Sequence, residues 1–347
     1  MRHLYLGAVL AGCIATAQAQ TPQTPDTQSR QMVVKVGVPG RADQYNFEIA
    51  YRRGYFAGLG LEIETVGAGS AQEYVSAIAA NQIQVASGSP NAGLFNALNR
   101  GIDIRLVADW AHLGDGAGKD SVAIVARADL VDSGTIKTVA DLKGRTIAAG
   151  PGRAMYPDVL DDKMLALAKL TPADVTIEYL AFADSLAAMS GKKIDAAFMV
   201  EPLITQADRQ NIARVLVRAG AVDPGAELAV LMYSAEFAKN KDAATKFLVA
   251  YLKGARDYYD AFYRNKDKDA VIQLLTTYLP VKDPTLWQAA TPGHTDLNGH
   301  INVADLKRQA TFFKEQGTLS GPVPDLDRFV TAEFADAATK ILGPRDP

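Results

Sequence analysis

The stretch VVKVGVPGRAD (33–43) and the stretch RTIAAGPGRAM (145–155) share the tetrapeptide PGRA, each time directly after a short apolar run and ahead of a helical pattern. Working outward, SAIAANQIQVASGSP (76–90) resembles LAAMSGKKIDAAFMVEP (186–202): the end of a helix, a polar turn, an isoleucine, a polar residue and a small-residue strand. Between 33 and 107 the pattern alternates. VVKVGV, LEIETVG, IQVASG and IRLVAD read as strands, and helices are expected over about Tyr45–Ala57, Ala71–Asn81 and Asn91–Arg100. Strands separated by ten-residue helices predict a parallel sheet with helices on its faces.

A second cycle begins after a glycine-rich stretch at 114–118 with SVAIVA. It continues through TVADLKG, RTIAA, a helix over about 157–169, TIEYL, a helix near 184–190, IDAAFMV and ARVLVR. After the strand ELAVLMY the chain from Glu236 to Ala338 reads as nearly all helix. Two α/β lobes follow from this alignment. The expected boundaries are 33–114 plus about 235–347 for the first lobe and 115–234 for the second.

The chain has 347 residues, 48% of them apolar and 22% charged, with net charge -3. That is the composition of a globular protein long enough for about two domains. It shows no basic stripe of the kind a nucleic-acid binder carries, so no nucleic-acid partner is expected. Residues 1–19 read as an export signal: a basic start, the apolar LYLGAVLAGCIATA, and the small-x-small site Ala17-Gln18-Ala19, followed by a tether over 20–32. Leu10-Ala11-Gly12-Cys13 offers a rival site that would leave a lipid on Cys13, but the apolar segment ahead of it is very short. An exported, periplasmic protein is therefore expected. Cys13 is the only cysteine, and His112, His294 and His300 are the only histidines beyond the signal. With that inventory no metal site, cofactor, disulfide or cysteine nucleophile is expected, and no enzymatic activity.

Ligands of open α/β sheets sit beyond the carboxyl ends of the strands. The loops predicted at that edge are small and polar: PGRADQY, GAGSAQE, SGSPNAG, GPGRAMYP, AFADS and VEP. Arg41 and Arg153 place one planar, bidentate fork on each lobe, suited to a carboxylate, sulfonate or phosphate. Tyr45, Tyr156, Trp110 and Phe182 are the aromatics near the edge, and Glu201 is placed either to hydrogen-bond a ligand or to brace the hinge. Two jaws closing on a small organic anion are expected, and Arg153→Ala is expected to cost about 2 kcal/mol of binding.

The passages IAYRRGYFAGLGLEIETVGAGSAQEYVSAIAANQIQVASGSP, TVADLKGRTIAAGPG, LTPADVTIEYLAFADSLAAMSGKKIDAAFMVEP and INVADLKRQATFFKEQGTLSG carry a resemblance. Over roughly 33–340 the chain resembles the periplasmic solute-binding proteins of ABC importers, in the branch for taurine, alkanesulfonates, nitrate and thiamine precursors. The resemblance implies a type II-like, two-lobe periplasmic binding protein fold with two crossovers and a central cleft. Its contacts, carried over by position, are the loop around Arg41, Ser70 to Gln72, Ser89 to Asn91, Arg153 to Tyr156 (including Met155), Asp184 and Glu201. It implies a monomer that hands an aromatic or aliphatic carboxylate or sulfonate to a membrane permease with a cytoplasmic ATPase. A ligand sensor without transport is the alternative. An enzyme on the same fold is a further alternative; among such relatives the thiamine-pyrimidine synthases and a desulfinase rely on cysteines, which the expected mature chain lacks.

Overall fold

A computed structural model describes Met1 and residues 31–38, 44–67, 71–116 and 120–346. The expected signal segment, tether and Cys13, and the loops carrying Arg41 and Ser70, lie outside the described residues, as does the side chain of Gln72. In chain order the first part contains β1 (Met32–Gly37), α1 (Tyr45–Arg52), β2 (Leu61–Val66), α2 (Ala71–Ala79), β3 (Val85–Gly88), α3 (Ala92–Asn99) and β4 (Ile104–His112). The second contains β5 (Val122–Arg127), α4 (Ala128–Asp132), β6 (Thr146–Ala148), α5 (Tyr156–Leu167), β7 (Thr176–Glu178), α6 (Phe182–Ser190), β8 (Ala196–Val200), α7 (Leu203–Arg209) and β9 (Ala213–Arg218). There follow β10 (Glu227–Ser234), α8 (Ala235–Lys239), α9 (Lys241–Arg264), α10 (Lys268–Tyr278), α11 (Pro284–Ala289), α12 (Val303–Glu315) and α13 (Glu333–Leu342).

The strands form two five-stranded sheets, ordered β2-β1-β3-β10-β4 and β7-β6-β8-β5-β9. Matching them position by position pairs β1 with β6 and β3 with β8, so the two PGRA loops follow equivalent strands. The internal similarity read from the sequence is thus a similarity of place.

The fold differs from the expected parallel arrangement in one respect. β10 runs antiparallel to both β3 and β4, and β5 runs antiparallel to both β8 and β9. Both sheets are therefore mixed. The reason is topological: β5 and β10 each arrive from the other sheet, through residues 113–121 and 219–226. A strand arriving across the hinge enters where the neighbouring strands end, and has to run against them. The same pairing moves Glu227–Ser234 out of the second lobe, where a boundary at 234 had put it, and into the first sheet.

The first sheet is covered by α9, whose long apolar face buries Phe247, Leu248, Tyr251 and Leu252 against β4 and β10 residues. α9 also lies close on α1. A Cβ at Gly254 would stand 2.2 Å from the Asn46 carbonyl, so this crossing requires glycine. The second sheet is cored by small residues and methionines, among them Ala123, Ala197, Met189 and Met199, filled out by Val125, Leu186, Ile194 and Ile204. β8 reads AAFMV without alternation because its first four residues are buried. Among the described residues no helix is long and apolar enough to cross a membrane.

Candidate functional site

The carboxyl ends of the parallel strands of both sheets open onto one cavity, and three parts of the chain line it. Tyr45 at the start of α1, Ser89 after β3, and Ala111, Leu228 and Ala229 come from the first sheet. Ser121, Met155, Tyr156, Phe182, Phe198 and Glu201 are among those from the second. Tyr258 and Phe262 of α9, Trp287 of α11 and the segment 290–293 close the third side. The enclosed space is about 90 Å³, less than the roughly 150 Å³ of an engineered cavity that takes benzene.

The rings are set by packing. Tyr45 and Tyr258 stack at 4.0 Å with an interplanar angle of 14°. Tyr258 also meets Phe262 at 4.6 Å, and Phe182 stacks on Phe198 at 5.9 Å. The backbone comes close at Gly293, whose amide donates to the Tyr258 hydroxyl at 3.2 Å. A Cβ there would fall 2.1 Å from the Tyr45 hydroxyl oxygen. Burial raises the Tyr258 phenol well above its ordinary pKa, so it acts as a neutral donor or acceptor and not as a base.

Polar groups at the rim are already engaged. The Glu201 carboxylate accepts from the Thr205 amide at 3.0 Å and the Thr205 hydroxyl at 2.8 Å. It also lies 3.4 Å from both the Arg218 guanidinium and the Thr291 amide. It therefore ties the second sheet to the C-terminal segment. The Tyr156 hydroxyl donates to Asp223 at 3.0 Å, and Asp223 also holds Lys163 at 2.6 Å and Arg308 at 2.9 Å. That buried cluster joins α5, the second crossover and α12. Burial next to the Asp223 carboxylate pushes the Tyr156 phenol far upward, so it too stays protonated.

Of the residues singled out in the sequence, Tyr45, Ser89, Met155, Tyr156 and Glu201 meet at this cavity, together with Phe182. Asn91 is a helix cap: its side-chain oxygen accepts from the Leu94 amide at 2.8 Å, and its backbone bridges to Met155 across the lobes. The neighbouring Ala92 amide donates to the Ala154 carbonyl at 3.1 Å, so the loops after β3 and β6 touch. Trp110 lies in the first-lobe core with its ring against Phe47 and Tyr251. It is 2% exposed and does not line the cavity. Asp184 is exposed on the first turn of α6. Arg153 faces a different cavity, beside Asp158 and over the Tyr179 ring at 5.7 Å.

The lining residues that sequence reading missed include Ser121, Phe198, Tyr258, Phe262, Trp287 and Gly293. Only the i, i+4 spacing of Tyr258 and Phe262 on α9 marked a shared face. No lysine, arginine or histidine lines the main cavity among the described residues. Nor does any group of three His, Cys, Asp or Glu side chains stand placed for a metal ion among them.

The sequence matches the family described as NMT1/THI5 like over residues 43–261, more than half of the chain. The chain belongs to the NMT1/THI5-like family. A comparison with curated protein sequences gives no match. Solved structures extend the likeness to the whole two-lobe body of this NMT1/THI5-like protein. The periplasmic aliphatic sulphonate binding protein SsuA from Escherichia coli superposes with a TM-score of 0.68 at 20% identity, covering 86% of this chain and 97% of that one. The periplasmic nitrate-binding protein NrtA from Synechocystis gives 0.72 at 14% identity, with 90% and 89% covered. A cysteine-to-serine variant of DSZB in complex with biphenyl-2-sulfinic acid gives 0.65 at 16% identity, with 90% and 99% covered. At these identities the likeness is one of fold, the periplasmic binding protein fold with a helical C-terminal segment. What an NMT1/THI5-like chain binds has to be argued from its own cavity.

Proposed function

We propose that this protein is an extracytoplasmic solute-binding receptor of an ABC importer, and that its cleft takes a small, flat, uncharged aromatic solute. The receptor part draws support from the family, from the fold and from a cavity walled by both sheets. Contacts to both walls exist together only when the lobes are closed, so ligand favours the closed form that a permease with its ATPase would read.

The ligand part rests on one observation: the cavity is walled by aromatic rings from both lobes and from α9 and α11, with no cationic side chain among its described lining residues. An anion desolvated there would find no cationic partner among the described lining residues, which is costly. The single carboxylate, Glu201, is satisfied within the protein, so a cationic solute gains little either. A neutral ring stacks on the tyrosines and phenylalanines and exchanges hydrogen bonds with Ser89, Ser121 or a protonated phenol. The anion expected from Arg41 and Arg153 fits less well, because Arg153 serves another cavity.

Titration with benzamide and with benzoate, which match in shape and differ in charge, tests this reading. Benzamide is expected to raise the melting temperature, as any ligand of the folded state does, and to bind at least about tenfold tighter than benzoate. Tighter binding of benzoate, taurine or an alkanesulfonate would restore the anion reading and remove this one.

A further inference from the structure

A second cavity, of about 140 Å³, opens between the second lobe and the C-terminal helices. One wall is α5 with the loop before it and Tyr179 beyond β7; the other is the end of α12. It is close in size to the roughly 150 Å³ cavity that accepts benzene. Asp158, Asp161 and Asp162 share one side of α5 at i, i+3 and i+4, and all three contribute to the lining. The opposite wall is aromatic, formed by Phe312 and Phe313 with Tyr179 at the edge.

Asp161 is the unusual member. It is 1% exposed, it lines this cavity, and neither of its carboxylate oxygens has a hydrogen-bond partner. Buried carboxylates are otherwise almost always paired, and one left alone costs the fold free energy. Its neighbours do not serve it. Asp158 spends its two oxygens on the Ala154 amide at 2.6 Å and the Tyr179 hydroxyl at 3.1 Å. Arg153 at the rim lies over the Tyr179 ring. Three aspartates against one arginine leave the lining net acidic.

We propose that this second cavity is a binding site for a small organic ammonium ion with an apolar body. The charged nitrogen pairs with Asp161, and the body packs on Phe312 and Phe313, whose ring faces also attract cations. The site is separate from the aromatic cleft and stands whether or not that cleft binds a neutral ring. Because its walls come from α5 on one side and α12 on the other, an occupant also holds those two helices in register.

Benzylamine, ionised near neutral pH, is the probe, and benzyl alcohol is its uncharged counterpart. By calorimetric titration of the full chain, benzylamine is expected to bind at least about tenfold tighter than the alcohol. Asp161→Asn, which keeps the shape and removes the group that can ionise against an ammonium ion, is expected to erase that difference. Methyl NMR supplies the location: benzylamine should shift Ile177, which lines this cavity, and leave Leu228, which lines the main cleft. Equal affinities for the two probes, an unchanged benzylamine affinity in Asp161→Asn, or a response at Leu228 without one at Ile177 would each overturn the proposal.

Discussion

One helix, α5, borders both cavities, and its two sides follow opposite rules. Toward the main cleft, Tyr156 and Lys163 stand seven residues apart on one face and converge on Asp223, which Arg308 also meets. Every charge there has a partner. On the other side Asp158, Asp161 and Asp162 crowd together, and the most deeply buried of them has none. A satisfied buried network rigidifies a fold, whereas an unsatisfied group is retained at a cost in stability. The contrast assigns structure to the first cluster and recognition to the second.

The largest expected effect breaks the satisfied side. Asp223→Asn takes the carboxylate from Lys163 and leaves Arg308 with Asp305 alone, and is expected to lose about 2–3 kcal/mol of stability, measured by urea unfolding. Next comes the unsatisfied side, with the opposite sign. Asp161→Asn is expected to gain about 1–2 kcal/mol in the same assay near neutral pH, because its amide, though still unpartnered, cannot ionise in the buried site.

That gain has a pH signature. Burial pushes the Asp161 carboxyl well above the usual range, with the Asp158 charge adding to the shift. With the cavity unoccupied the folded protein then holds a proton that the unfolded chain releases, and that proton leaves to solvent when an ammonium ion enters, so without ligand this group's contribution is favourable at low pH and is lost as pH rises through the folded pKa. The advantage of Asp161→Asn over the parent should therefore grow with pH above the ordinary aspartate range. An advantage that shrinks with pH would show that Asp161 has a partner after all.

Smaller still, Tyr156→Phe removes only one hydrogen bond to Asp223 and should cost about 1 kcal/mol, leaving the ring in the cleft wall. Last, Arg153→Ala is expected to change the affinity of the main cleft for a neutral ring by less than about twofold, since removing a group outside that lining takes away no contact. A loss of tenfold or more would mean that Arg153 reaches the cleft when ligand is bound.

The repeated pattern was legible because it is local. Apolar runs, the spacing of Ile83 and Ile194 behind their PGRA loops, and glycine or proline at strand ends all follow from backbone conformation and burial period. They place β1 and β6 at equivalent positions, and the loop after β6 lies at the cleft. The fate of individual side chains was less legible. Trp110 sits in β4, IRLVADWAH, where every residue from Leu106 to Ala111 is buried. With no alternation to read, nothing in the strand says which face points to the core. Asp184 had the right loop and the wrong direction, on the exposed side of the first turn of α6.

The sequence by itself determined two α/β lobes, their order and the small, polar loops that end their strands, because those features depend on neighbours a few residues apart. The tertiary structure alone decided that β5 and β10 run backward, that Tyr258, Phe262 and Trp287 complete a cleft begun by Tyr45, and that Arg153 turns to a second cavity. Each of these depends on which surfaces meet across long stretches of chain, where the free energy of burial is settled by packing partners that no local pattern names.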